Sequence, residues 1–114
     1  PQYSAASVVS KNKQLCTPSS VDTIDSSNGQ EDHVSMGANA ATKTLEVIKN
    51  VEKIIGVELF TATQALEFRK PLKSSACIEN LIVEFRKLVP FVGDDKIMQG
   101  EMEKSRVFVQ EFEF

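Results

Sequence analysis

Residues 34–66 read VSMGANAATKTLEVIKNVEKIIGVELFTATQAL. Along this stretch the apolar or small positions Val34, Ala38, Ala41, Leu45, Ile48, Ile55, Leu59, Ala62 and Leu66 fall at alternating steps of four and three, with Glu52 in the one slot that breaks the run. That spacing is a heptad-like seam along one side of a helix. The helix it predicts covers about residues 30–69 and is about 50 Å long at about 1.5 Å per residue. Asn28 is the candidate N-cap, Glu31 and Asp32 place negative charge in the first turn, Arg69 and Lys70 place positive charge in the last, and Pro71 stops it. A second apolar set, Val47, Val51, Ile54, Val57 and Phe60, falls off the seam. A helix that is apolar on more than one face has to be surrounded by partners.

The rest of the chain offers too few of them. Residues 3–15 carry Ala5, Ala6, Val8, Val9 and Leu15 without a breaker and suit a helix, although Ser4, Ser7 and Ser10 weaken it. About residues 16–29, CTPSSVDTIDSSNG, are dense in residues whose side chains compete with regular structure, so they form a loop, pinned by Val21 and Ile24. A helix over about 75–89 has Ile78, Leu81, Ile82, Phe85 and Leu88 on one side, Ser74 or Ser75 as its cap, and Pro90 as its stop. A weaker helix over about 94–110 puts Met98, Met102, Ser105 and Val109 in register, while the tail 107–114 alternates enough to suit a strand as well. The predicted class is all-α, a segment of a long-helix bundle, and two short helices cannot blanket the long one. Other segments or other subunits are expected to cover the remainder.

The chain has 114 residues, is 25% charged and 41% apolar, and carries a formal charge of -3, which removes the basic footprint of a nucleic-acid binder. Lys43, Lys49 and Lys53 alternate with Glu46 and Glu52, as on the solvated face of a helix. Cys16 and Cys77 stand far apart without companions, so both are read as free, reduced thiols and neither as part of a disulfide scaffold or zinc site. The longest apolar runs are far shorter than a bilayer span, so no membrane insertion is expected. The chain opens on Pro1-Gln2-Tyr3, without an initiator Met or the pattern of a signal peptide, and is expected to be part of something longer.

Polar chemistry concentrates in Asn28-Gly29-Gln30-Glu31-Asp32-His33-Val34-Ser35-Met36-Gly37, where loop meets long helix. Glu31, Asp32 and His33 are consecutive, and on a helix they point about 100° apart, which argues against a metal site. Two readings of Glu31 stand side by side. With Asn28 as N-cap, a Glu three residues later completes a capping box; alternatively Glu31 is a functional acid. Gly37 and Gly56, inside the expected helix, mark close helix contacts.

From Pro18-Ser19-Ser20-Val21-Asp22 through Ile24 to Gln30-Glu31-Asp32-His33-Val34-Ser35-Met36-Gly37, the chain resembles the C-terminal part of the histidine ammonia-lyases. The likeness extends back through Gln2-Tyr3 and Ser10-Lys11-Asn12-Lys13, and forward through Val51-Glu52, Val57-Glu58-Leu59 and Gln64-Ala65-Leu66-Glu67-Phe68-Arg69. It covers about residues 1–70; beyond Pro71 it rests on helical character. The resemblance implies that residues 1–114 are one C-terminal helical segment of a larger, mainly helical, cytoplasmic enzyme. Its partners would be the rest of its own chain and the sister subunits of a homotetramer. The implied reaction is non-oxidative elimination of ammonia from L-histidine to give urocanate, with a 4-methylidene-imidazol-5-one cofactor made from an Ala-Ser-Gly triplet.

By the same resemblance Glu31 is both the catalytic and the substrate-binding residue here, orienting the substrate imidazole and able to exchange a proton with it. Relatives that act on phenylalanine or tyrosine carry Asn-Gln at this place, so Gln30-Glu31 favours histidine. An imidazole offers an N–H to an ionised carboxylate, and a phenyl ring does not. No Ala-Ser-Gly occurs in the chain, so the segment alone is expected to be inactive, and Tyr3, its only tyrosine, receives no role. The alternatives are a non-catalytic helical scaffold or oligomerisation module, and a lyase acting on another aromatic amino acid.

Overall fold

A computed structural model of the chain describes residues 1–21 and 24–113; Asp22 and Thr23 of the expected loop and Phe114 of the tail lie outside the described residues. Four α-helices follow one another, α1 Gln2–Leu15, α2 Gly37–Glu67, α3 Ala76–Leu88 and α4 Gln99–Glu111. One short 3-10 turn, Ser27–Gly29, sits between α1 and α2. The described residues contain no strand, only a single antiparallel bridge between Ser26 and Glu31. The class is all-α, and the tail through Glu111 is helical.

The long helix starts later than the spacing predicts. Asn28 takes a left-handed conformation at φ 55°, ψ 39°, inside a short 3-10 turn and away from the extended backbone typical of an N-cap. Ser26 and Glu31 exchange backbone hydrogen bonds, Ser26 N–H to Glu31 C=O at 2.9 Å and Glu31 N–H to Ser26 C=O at 3.2 Å. These bonds commit the backbone that the first turn of a helix from residue 30 would need. The chain turns left-handed again at Met36, φ 42°, whose C=O receives the N–H of Ala40, and α2 begins at Gly37. Gly37 is therefore the first residue of the helix, and a Cβ there would meet only Ser35 Oγ at 3.9 Å, so it marks no close helix contact. At the other end α2 stops at Glu67, with Phe68 as C-cap and a turn leading to Pro71.

Helix α2 packs against α1 and α4, and α4 in turn holds α3. The close crossing of α2 and α4 is at Gly56, where a Cβ would lie 2.8 Å from the backbone N of Arg106 and 3.1 Å from the C of Ser105. Ser105 is fully buried there and turns its hydroxyl onto Glu101 C=O at 2.7 Å. Beside it Phe60, Phe85, Val89 and Phe108 form the buried core, rimmed by Leu59, Leu81, Val92, Met98, Met102 and Phe112. The Phe85 and Phe108 rings meet edge to face at 5.2 Å, and Phe108 stacks on Phe112 at 4.8 Å. Gln64 clamps the α3–α4 connection by donating to Val92 C=O at 2.6 Å and accepting from Val92 N–H at 3.3 Å. Where α1 lies on α2, Asn50 is buried and donates to Asn12 Oδ1 at 2.8 Å.

Helix α3 follows its local signals. Ser75 is the cap, accepting from Ile78 N–H at 3.5 Å, and Glu79 returns to Ser74 N–H at 2.8 Å. Helix α4 begins at Gln99, five residues later than expected from residue 94; residues 94–97 are irregular and exposed, and Met98 packs against the core.

The face of α2 used inside the chain is the off-seam set: Val47, Ile54 and Val57 are half-buried and Phe60 is buried. The middle of the heptad seam is left outward, with Leu45 53%, Ile48 51% and Ile55 43% exposed, while Leu59 farther along it packs against the core. The molecule measures 70 × 30 × 20 Å with a radius of gyration of 20.1 Å. A compact domain of this length would have a radius of gyration of about 13 Å. The chain is a flat, elongated layer with an apolar outer stripe.

Candidate functional site

The segment that carries the polar motif is a closed loop. The two-way bridge between Ser26 and Glu31 ties off a turn through Ser27, Asn28 and Gly29, all three at positive φ (53°, 55° and 78°). Only Gly takes that conformation at no steric cost, so two adjacent non-glycine residues there, with Met36 a third a few residues on, make this the most strained backbone in the described chain. Strain of this kind is held by surrounding bonds and concentrates at functional sites.

The loop turns Gln30 and Glu31 outward from the chain, and Asp32 and His33 follow, all four exposed. Glu31 is neither on α2 nor at the third position of any helix, and Asn28 is not an N-cap. The capping-box geometry is thus absent. Glu31, Asp32 and His33 follow one another on an extended, turning backbone, and the described residues hold no group of three His, Cys, Asp or Glu side chains placed to bind a metal ion. Val34 and Met36, half-buried, anchor the end of the loop at the start of α2.

Val21 and Ile24, expected to pin this loop, are instead 73% and 68% exposed, and its beginning is tied down by Ser20 and by Lys43, which was expected on a solvated face. Ser20 Oγ–H donates to Ser35 C=O at 2.9 Å, and Lys43 Nζ, from the second turn of α2, donates to Thr17 C=O. Nearer the middle of α1, Lys11 pairs with Glu46 of α2 and holds that carboxyl below its ordinary range by hydrogen bond and charge. The described cysteines are free and exposed, and Tyr3 stands far out in solvent.

Comparison with known proteins follows the same segment. The histidine ammonia-lyase of Caenorhabditis elegans is 44% identical over 110 residues, which cover 96% of this chain and 16% of that protein. Among solved structures, the histidine ammonia-lyase from Trypanosoma cruzi superposes with a TM-score of 0.87 at 35% identity, covering 92% of this chain and 21% of that one. The phenylalanine aminomutase of Pantoea agglomerans superposes with a TM-score of 0.85 at 28% identity over 96% of this chain and 21% of its own. The chain thus spans about a fifth of the length of the proteins it matches. The family described as aromatic amino acid lyase matches residues 1–87, through the strained loop, the whole of α2 and nearly all of α3, and the chain belongs to that family.

Proposed function

We propose that the chain is the C-terminal segment of a histidine ammonia-lyase, in which Glu31 binds the substrate imidazole. In that reaction the Cα–N bond of L-histidine breaks, Cβ gives up a proton, a double bond forms between the two carbons, and urocanate and ammonia leave. The reading is carried by one observation: Gln30-Glu31 stands exposed on a strained, self-closed loop, in a chain whose relatives include proteins named histidine ammonia-lyase. An ionised Glu31 accepts the imidazole N–H in a charge-assisted hydrogen bond, which orients the ring, and can hold a proton passed along it.

The chain contains no Ala-Ser-Gly, so a 4-methylidene-imidazol-5-one would be formed outside these residues, and this chain's part in the site is its exposed carboxylate. Such a group supplies the electrophile that turns the amine into a leaving group. A homotetramer is the assembly we assign, supported by the outward apolar stripe of α2, and the cytoplasm is its location, supported by exposed free thiols at Cys16 and Cys77.

The test is Glu31→Gln in the full-length enzyme, with kcat on L-histidine measured beside the melting temperature. Loss of a general acid-base group costs about 100 to 10,000-fold in rate. Because Glu31 is exposed and caps no helix, stability should hardly change. A near-normal kcat would sink the assignment and favour a scaffold role for the segment. The likeness to an aminomutase named for phenylalanine keeps a second substrate class in view, and turnover of L-phenylalanine exceeding that of L-histidine would select it.

A further inference from the structure

The loop that carries Glu31 is strapped to α2 before it reaches the polar motif. Lys43 Nζ holds Thr17 C=O, and the stem of Lys43 lines a cavity of about 270 Å³ together with Leu15, Pro18, Ala40 and Val47. Three residues on, Ser20 holds Ser35 C=O at 2.9 Å. That carbonyl belongs to the peptide group between Ser35 and Met36, and the tilt of this group about the Met36 N–Cα bond is the φ of Met36. A donor fixed on that carbonyl therefore favours the left-handed Met36, φ 42°, a conformation that a long side chain seldom takes unaided. The direction in which residues 30–35 leave the start of α2 depends on the φ and ψ of Met36, 42° and 35°.

We propose that Ser20 and Lys43 are positioning residues for Glu31, strapping the first turn of the loop across the start of α2 so that the Gln30-Glu31 pair is presented in one orientation. The proposal rests on the role given to Glu31 above. Neither residue touches substrate; both act through the backbone that carries Glu31. An error of about 1 Å in placing a reacting group can cost about 100-fold in rate.

The experiment uses full-length enzyme with L-histidine, measuring kcat, KM and melting temperature for Ser20→Ala, Lys43→Met, Glu31→Gln and the doubles that combine each strap variant with Glu31→Gln. The expected result is a loss of about 10 to 100-fold in kcat for each strap variant, with a melting temperature close to the parent's and with Lys43→Arg, which keeps a donor, restoring turnover. In the Glu31→Gln background the strap changes should cost little more, because residues acting as a unit are non-additive. Full turnover in both strap variants beside a crippled Glu31→Gln enzyme overturns the strap and leaves the role of Glu31 standing. Losses that multiply in the doubles also overturn it, since they show a general effect on the fold. Normal turnover in Glu31→Gln overturns both at once. Should Ser20→Ala fail to fold, the Lys43 variants and their double decide.

Discussion

At the scale of single residues, Gly56 does structural work that only its missing side chain allows. Its α-carbon faces the backbone of α4, and a Cβ would sit 2.8 Å from Arg106 N and 2.9 Å from Arg106 Cα, atoms that cannot swing aside as a side chain can. Replacing Gly by Ala inside a helix ordinarily gains about 1 kcal/mol of helix propensity. Here the two helices must separate, and forced overpacking costs about 1–3 kcal/mol. Gly56→Ala in the full-length enzyme is therefore expected to lower the melting temperature, and a raised one would mean that α2 and α4 lie farther apart than described. The Asn12–Asn50 hydrogen bond is another specific contact of α2: a buried amide with a partner on α1, which helps fix how α1 is seated. Glu31 differs from both, because nothing in the packing of the chain requires it.

At the scale of elements, α2 is the organising member, and its two apolar faces have different fates. The face through Val57, Phe60 and Thr63 is covered by the chain itself. The face through Leu45, Ile48 and Ile55 remains outward, joined by Val51 at 42% exposure. An exposed apolar stripe running several turns along one helix seeks a partner. The isolated 114-residue piece is accordingly expected to self-associate, and Ile48→Asp combined with Ile55→Asp should shift it toward monomer in sedimentation while leaving helix content by circular dichroism largely intact. A monomeric parent that melts in one cooperative step would count against the stripe as a contact surface. Helix α4 supplies the counterpart inside the chain, holding Glu101 between Lys96 at 2.9 Å and Lys104 at 3.3 Å, which together keep its carboxyl below the usual range.

At the scale of the whole molecule, a radius of gyration of 20.1 Å describes a layer and not a globule, and four buried apolar side chains among the described residues are a small core for such a length. The chain also spans about a fifth of the proteins it matches. Without an Ala-Ser-Gly triplet it lacks the precursor of the electrophile that the proposed reaction needs. The purified piece is therefore expected to release no urocanate from L-histidine, followed by the ultraviolet absorbance of the product. Turnover by the piece alone would remove either the proposed reaction or its mechanism.

The helices, their order and several of their ends were legible in the sequence, because they depend on local causes: the four-three spacing of α2, Ser75 as a cap, Pro90 as a stop; α2 itself ends at Glu67, so Arg69 and Lys70 lie past its last turn and not in it. The excess of apolar faces on α2 was legible too. What the sequence could not decide is which apolar face the chain keeps for itself, since periodicity counts faces and does not name the neighbour. The tertiary structure decides it at Gly56, where only the off-seam side can admit another backbone. The start of α2 was likewise beyond local reading. Asn28 and Glu31 have a good capping-box spacing, yet the Ser26–Glu31 bridge and the Ser20 bond to Ser35 hold the segment as a loop and delay the helix to Gly37. Of those two contacts, Ser20 to Ser35 spans fifteen positions, a separation that neither propensity nor spacing reports, and it is there that the placement of Glu31 is decided.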